Sequence, residues 1–134
     1  MAASVGIVLV SHSAALAAGT AELAGQVGGG AVLIVPAGGT FDGRLGTSAD
    51  KVLSAIQSAA AGGGGVVVLP DLGSSVLTVR SLLANGELTS LGPVELADAP
   101  FVEGAVAAAV MAAGGGSLKD VLDAAREARH AGKL

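Results

Sequence analysis

Cysteine, tryptophan and tyrosine are absent from this chain and phenylalanine occurs twice, so aromatic residues make up 1% of its 134 residues. Without cysteine, neither a disulfide framework nor a thiolate metal site can be built. Without aromatic side chains there is no stacking platform for bases. The Lys and Arg residues form no stripe, and the net charge is −4, so no nucleic acid is expected as a partner. Charge is scarce too, at 13%. Apolar runs in the strand-like segments stop at about six residues and the Ala-rich stretches carry polar residues, so no membrane-spanning segment is expected. The N-terminus has no basic n-region and enters a strand at once, which argues against a signal peptide and for a cytoplasmic location.

Ala, Val and Leu dominate what is present. The chain is 51% hydrophobic, and side chains this small imply helices packed closely on a sheet. Its length suits one domain over residues 1–134 with a real core. The 22 glycines gather at the ends of periodic segments without a collagen period.

Residues 5–10 form an apolar run suited to a parallel strand covered on both faces. Ser13 is placed to cap a helix over 14–27, with Leu16, Leu23 and Val27 at near-helical spacing. A second strand is predicted over 31–35, closed by Pro36. The loop from Ala37 to Gly46 is longer than an ordinary βα connection and holds Phe41, which reads as an anchor, and Arg44, which can pair with Asp42 or reach an anion. Thr47-Ser48-Ala49-Asp50 resembles a capping box ahead of a helix that buries Val52, Leu53, Ile56 and Ala60. Val66 to Leu69 is a third strand. Asp71 follows it, and Gly73-Ser74-Ser75 leads into a helix to about Gly86. A short strand near residues 93–96 and two helices, about 101–113 and 118–129, complete the chain.

Strand–helix alternation argues an α/β protein, with a doubly wound, mainly parallel sheet of order 2-1-3-4 and helices on both faces. In that order strands 1 and 3 are neighbours, and a crevice opens beyond their carboxyl ends. The residues there are His12 and Asp71. A histidine has one protonated and one free ring nitrogen near physiological pH. An aspartate that accepts from the protonated nitrogen leaves the other as a nucleophile. Helix N-termini after Ser13, Gly46 and Gly73 would offer backbone N–H groups to an anion, and Thr47, Ser48, Ser74 and Ser75 add hydroxyls. Such a site suits a phosphoryl group on His12. Plainer readings stand beside it: a loop histidine, an aspartate that caps a helix, and serines that are caps only.

Competing chemistries lack their residues. There is no GxxxxGK[ST] phosphate loop and no GxSxG elbow. Ser11-His12-Ser13 stands where a receiver domain needs acidic metal ligands, and two distant histidines make a poor metal site.

Four segments, Val8-Leu9-Val10-Ser11-His12-Ser13, Leu45-Gly46-Thr47-Ser48, Pro70-Asp71-Leu72-Gly73-Ser74-Ser75 and Ala99-Pro100-Phe101-Val102-Glu103-Gly104-Ala105, occur in an order and at separations that resemble the mannose-type IIA family of the sugar phosphotransferase system. The Asp-Leu-Gly-Ser form favours the branch that serves dihydroxyacetone phosphorylation. The resemblance covers nearly the whole chain and implies a flavodoxin-like fold. It also implies a role: phosphate is accepted from the phosphocarrier protein HPr on a histidine. It then passes to ADP on the nucleotide subunit DhaL, and the resulting ATP phosphorylates dihydroxyacetone on DhaK. By motif, His12 would accept the phosphoryl group and Asp71 would orient it, with Ser13, Gly46, Thr47, Ser48, Gly73 and Ser74 around the phosphate. No dissociable cofactor and no metal is implied. Alternatives are a IIA component of a mannose-type sugar transporter and a non-catalytic regulatory module on the same scaffold. A homodimer is open, because the Ala-rich helix at 101–113 can pack on a copy of itself or within its own chain.

Overall fold

Two of the apolar runs become the central strands of one sheet. The structure, a computed structural model, describes residues 4–134. In chain order the elements are β1 (Gly6–Ser11), α1 (Ala14–Val27), β2 (Ile34–Gly38), α2 (Ala49–Ala59), β3 (Val66–Pro70), α3 (Gly73–Ala84), β4 (Val94–Leu96), α4 (Phe101–Ala113) and α5 (Leu118–Glu127). All strands pair in parallel in the order β2-β1-β3-β4, as the alternation predicts. Every residue of β1 and β3 is buried, because helices cover both faces.

Side-chain alternation along the strands divides the core in two. Ile7, Leu9, Val67 and Leu69 pack against Ala24 of α1, the alanines of α4, and Val121, Leu122 and Ala125 of α5. Val8, Val10, Val66 and Val68 meet Val52 and Ile56 of α2 and Val79 and Leu82 of α3. The two faces are built differently. On the first, α4 buries only Gly104, Ala105, Ala108, Ala109 and Ala112. It therefore lies so close to the sheet that a Cβ on Gly104 would stand 2.9 Å from the Leu69 side chain. The Ala-rich helix is thus packed within its own chain. On the second face, Val, Ile and Leu supply most of the buried side chains.

The same closeness overturns the expected inner face of α1. Leu16, Leu23 and Val27 are 43%, 46% and 52% exposed, whereas Ala17, Thr20 and Ala24 are buried. At Gly38 a Cβ would come within 2.9 Å of the Ala17 methyl and 2.5 Å of the Ser13 carbonyl oxygen. Only small residues fit between α1 and β2, so the large ones turn outward.

β2 also lies three residues later than the apolar run at 31–35 suggests, and Pro36 sits inside it. β2 is an edge strand, where a missing N–H leaves no partner unsatisfied. The shift sets Gly38 opposite Ser11. Gly39 then bridges to Thr47, which draws the β2–α2 loop over the end of β1.

Candidate functional site

The site grows from sheet register. Val10 of β1 pairs with Pro70 of β3, and the Asp71 amide donates to the Val10 carbonyl at 2.9 Å. His12 and Asp71 therefore leave the sheet side by side. The chain turns into α1 two residues after His12 and into α3 two residues after Asp71.

Asp71 holds His12 at two points. Its Oδ2 accepts the His12 backbone N–H at 3.0 Å, and its Oδ1 lies 2.9 Å from the ring Nδ1. An ionised carboxylate only accepts, so Nδ1 carries the proton and donates it. The remaining nitrogen, Nε2, is left with its lone pair and lies against the Ser74 hydroxyl. Three more donors converge on the carboxylate: the Ser11 hydroxyl at 2.8 Å, the Ser75 hydroxyl at 2.8 Å and the Leu72 amide at 2.7 Å. Burial pushes the Asp71 carboxyl up. The hydrogen bonds from Ser11, from the His12 amide and ring, and from Ser75 outweigh it and hold the group well below the usual carboxylate range. The Asp71 side chain is 8% exposed and that of His12 25%, so the pair is anchored below and open above.

The other sequence-predicted residues divide by use. Gly46 donates its amide to the His12 carbonyl at 2.9 Å. Its φ of 146° is a conformation few side chains tolerate, and a Cβ would press on Thr40 at 2.7 Å. Thr47 Oγ1 lies 3.1 Å from Ser75 Oγ, which joins the β2–α2 loop to the carboxylate network. Ser13 and Ser48 use their hydroxyls as helix caps, accepting from the amides of Leu16 and Lys51. Thr47-Ser48-Ala49-Asp50 is therefore a simple serine cap in place of a capping box. Asp71 is no cap of α3 either: Leu72 occupies that position without a side-chain bond. The amides of Gly73 and Ser74 have no acceptor among the described residues, and they open a helix at the same end of the sheet as His12. With the N-termini of α1 and α2 they give this end donors and positive dipole suited to an anion.

Ser11 escaped the sequence reading as a site residue, and Ser75, expected among the hydroxyls offered to an anion, serves the carboxylate instead. Ser11 and Ser75 are fully buried, and both spend their hydroxyls on Asp71. A serine closing an otherwise apolar strand, and a serine four residues after the aspartate, are the signals that point to them. Phe41, expected to anchor its loop, is 72% exposed. Arg44 pairs with Asp42 at 2.8 Å. Lys51 does the anchoring: its Nζ donates to the carbonyls of Gly38 at 3.2 Å and Thr40 at 2.9 Å. His130 stands in an exposed turn after α5. Among the described residues, no His, Cys, Asp and Glu cluster could hold a metal ion, and no helix is long and apolar enough to cross a membrane.

With this geometry in place, known proteins can be compared. A family model described as "PTS system fructose IIA component" matches residues 6–122. The chain is 37% identical to PEP-dependent dihydroxyacetone kinase 2, phosphoryl donor subunit DhaM, of Listeria innocua, across 79% of this chain and 84% of that protein. It is 36% identical to the DhaM subunit of Providencia stuartii and 38% identical to that of Escherichia coli, covering 95% of this chain in each case. The chain spans 27% of the length of each of those two proteins. A crystal structure of a protein of unknown function, EF1359, superposes with a TM-score of 0.82 at 33% identity and covers the whole chain. The chain belongs to the EIIA-man family of the phosphotransferase system, among the relatives of DhaM.

Proposed function

We propose that this protein is a phosphoryl-carrier subunit acting through phospho-His12, within a single mannose-type IIA domain. One observation carries the reading: Asp71 fixes the Nδ1–H tautomer from below, and Nε2 is left as the nucleophile on the open side. The Nε2 lone pair attacks the phosphorus of a phosphohistidine on HPr. The donor's N–P bond breaks, and its electron pair returns to the donor imidazole. The phosphorylated His12 ring keeps its Nδ1 proton, and the Asp71 carboxylate offsets the positive charge that forms. The amides of Gly73 and Ser74 and the hydroxyl of Ser74 face the phosphoryl oxygens, with Ser13, Gly46, Thr47 and Ser48 shaping the pocket. In the second half-reaction, a β-phosphate oxygen of ADP on DhaL attacks the same phosphorus, and the N–P electrons return to Nε2. The ATP so formed serves DhaK in the cytoplasm. Positioning and electrostatics do the work, since the protein needs no acid–base group beyond the pair itself.

The test is incubation with phosphoenolpyruvate, Enzyme I and HPr. The protein acquires an acid-labile, base-stable phosphate, and phosphorus–nitrogen NMR couplings place it on Nε2. Coupling to Nδ1 reverses the assigned role of Asp71. Transfer onward to DhaL-bound ADP separates this reading from a sugar-transporter component and from a regulatory module.

A further inference from the structure

The donors on the Asp71 carboxylate are not equivalent. Nδ1 of His12, the Leu72 amide and the Ser75 hydroxyl share Oδ1, while the His12 amide and the Ser11 hydroxyl share Oδ2. The two amides and Ser75 hold the carboxylate by both of its oxygens, so its alignment with the ring does not need Ser11. What Ser11 supplies is a proton drawn toward Oδ2. Its Oγ accepts the Ser13 amide at 3.0 Å, which turns the hydroxyl proton toward Asp71 at 2.8 Å. Ser11 is fully buried, and the space left by one missing hydroxyl is smaller than a water needs, so solvent does not replace that bond. Ser75 serves two masters, because its Oγ also lies 3.1 Å from Thr47 Oγ1. Ser11 acts on Asp71 alone among side chains.

Burial pushes the Asp71 carboxyl up, and the Ser11 bond heads those that pull it down. A carboxylate whose charge is drawn off into hydrogen bonds gives less to the ring beside it. That matters most once the ring is phosphorylated. It then carries the Nδ1 proton and the phosphoryl group together and is formally an imidazolium. A carboxylate with fewer donors would stabilise this state and make the phosphoryl group slow to leave.

We propose that Ser11 acts through Asp71 to keep phospho-His12 a strong phosphoryl donor toward a nucleoside diphosphate. The inference rests on the phospho-His12 reading. In the step it serves, a terminal oxygen of the diphosphate bonds to phosphorus, the Nε2–P bond breaks, and its electron pair returns to Nε2. The Nδ1 proton stays where it is. The less the carboxylate favours the cationic ring, the further this step runs toward the triphosphate. Ser11 is a positioning residue in this account, since it touches neither the ring nor the phosphoryl group.

The experiment measures the phosphoryl-exchange equilibrium between phospho-HPr and the full chain, wild type and Ser11→Ala, from the labelled fraction of each protein. Removing the hydroxyl shifts the equilibrium toward this protein about fivefold, and transfer onward to DhaL-bound ADP becomes less favourable by the same factor. In proton NMR of the phosphoprotein the Nδ1–H resonance moves downfield, because its bond to Asp71 strengthens. Ser11→Thr keeps the hydroxyl on a side chain suited to a strand and restores the wild-type equilibrium. Ser11→Cys fills the space with a weaker donor, gives an intermediate shift, and replaces Ser11→Ala if that variant does not fold. A loss of stability with no shift in equilibrium overturns the inference, as does a shift toward HPr or a Ser11→Thr protein that behaves like Ser11→Ala. A wild type that takes no phosphate from HPr brings down the phospho-His12 reading and the inference with it. A phosphorylated wild type whose variants exchange exactly as it does brings down the inference alone.

Discussion

The two sides of the His12 ring are built on opposite terms. Below it, Asp71 accepts five hydrogen bonds, and Ser11 and Ser75 are sealed from solvent. No buried side-chain polar atom among the described residues lacks a partner. Above it, Nε2 meets a single hydroxyl and two helix amides have no acceptor among the described residues, while Phe41 and Leu45 of the β2–α2 loop and Leu72 stand in solvent. The lower side fixes one tautomer and one orientation. The upper side is left open for groups that come and go. A carrier histidine needs both, because a ring that is free to turn loses its nucleophile, and a ring that is fully enclosed loses its partners.

Substitutions sharpen this contrast in decreasing order of effect. His12→Ala removes the acceptor nitrogen, and labelled phosphoenolpyruvate leaves no phosphate on the protein; retained label sinks the assignment. Asp71→Asn keeps the shape but sets an amide N–H₂ among the donors, and transfer from HPr slows by about two orders of magnitude in stopped-flow assays. A normal rate would reduce Asp71 to a structural role. The same variant tests the pH dependence. The folded Asp71 carboxyl lies below its unfolded value, so its contribution to stability is complete above about pH 4 and is lost as pH falls toward the folded value. Urea titrations therefore show wild type and Asp71→Asn converging as the pH drops below about 4.

Gly46→Ala forces a side chain into a φ of 146° and costs about 1–3 kcal/mol in the same titrations, with the loop carrying Thr47 displaced. Ser75→Ala leaves Thr47 Oγ1 without its partner and Asp71 with one donor fewer, and costs about 1–2 kcal/mol. In the β2–α2 loop, Phe41→Ser changes stability by less than about 0.5 kcal/mol, since its ring is mostly in solvent. A large loss there would mean that the loop is packed rather than open.

Sequence pattern reveals the frame of this site but little of its fine structure. The pairing of His12 with Asp71 is legible because strand order follows from alternation, and strand order decides which ends are neighbours. The network beneath the ring is less legible: Ser11 looks like any serine at an element boundary until register buries it, and Ser75 reads as a hydroxyl of the crevice without any sign that it is spent on Asp71. α1 misleads for a related reason. Its largest apolar residues mark the solvent face, because the gap at Gly38 admits only Ala17 and its small neighbours. Pro36 misleads because it reads as the end of a strand, yet an edge strand carries it through.

The contact between α4 and the sheet has a consequence for variation. Gly104, Ala105, Ala108, Ala109 and Ala112 have almost nothing to lose and no room to gain. Nearly every replacement there adds atoms, and added methylenes cost about 1–3 kcal/mol each time in a tight interior. Drift at these positions is one-way, so in a saturation library they would tolerate as little change as the histidine itself. That intolerance would reflect spacing alone, at residues that carry no chemistry.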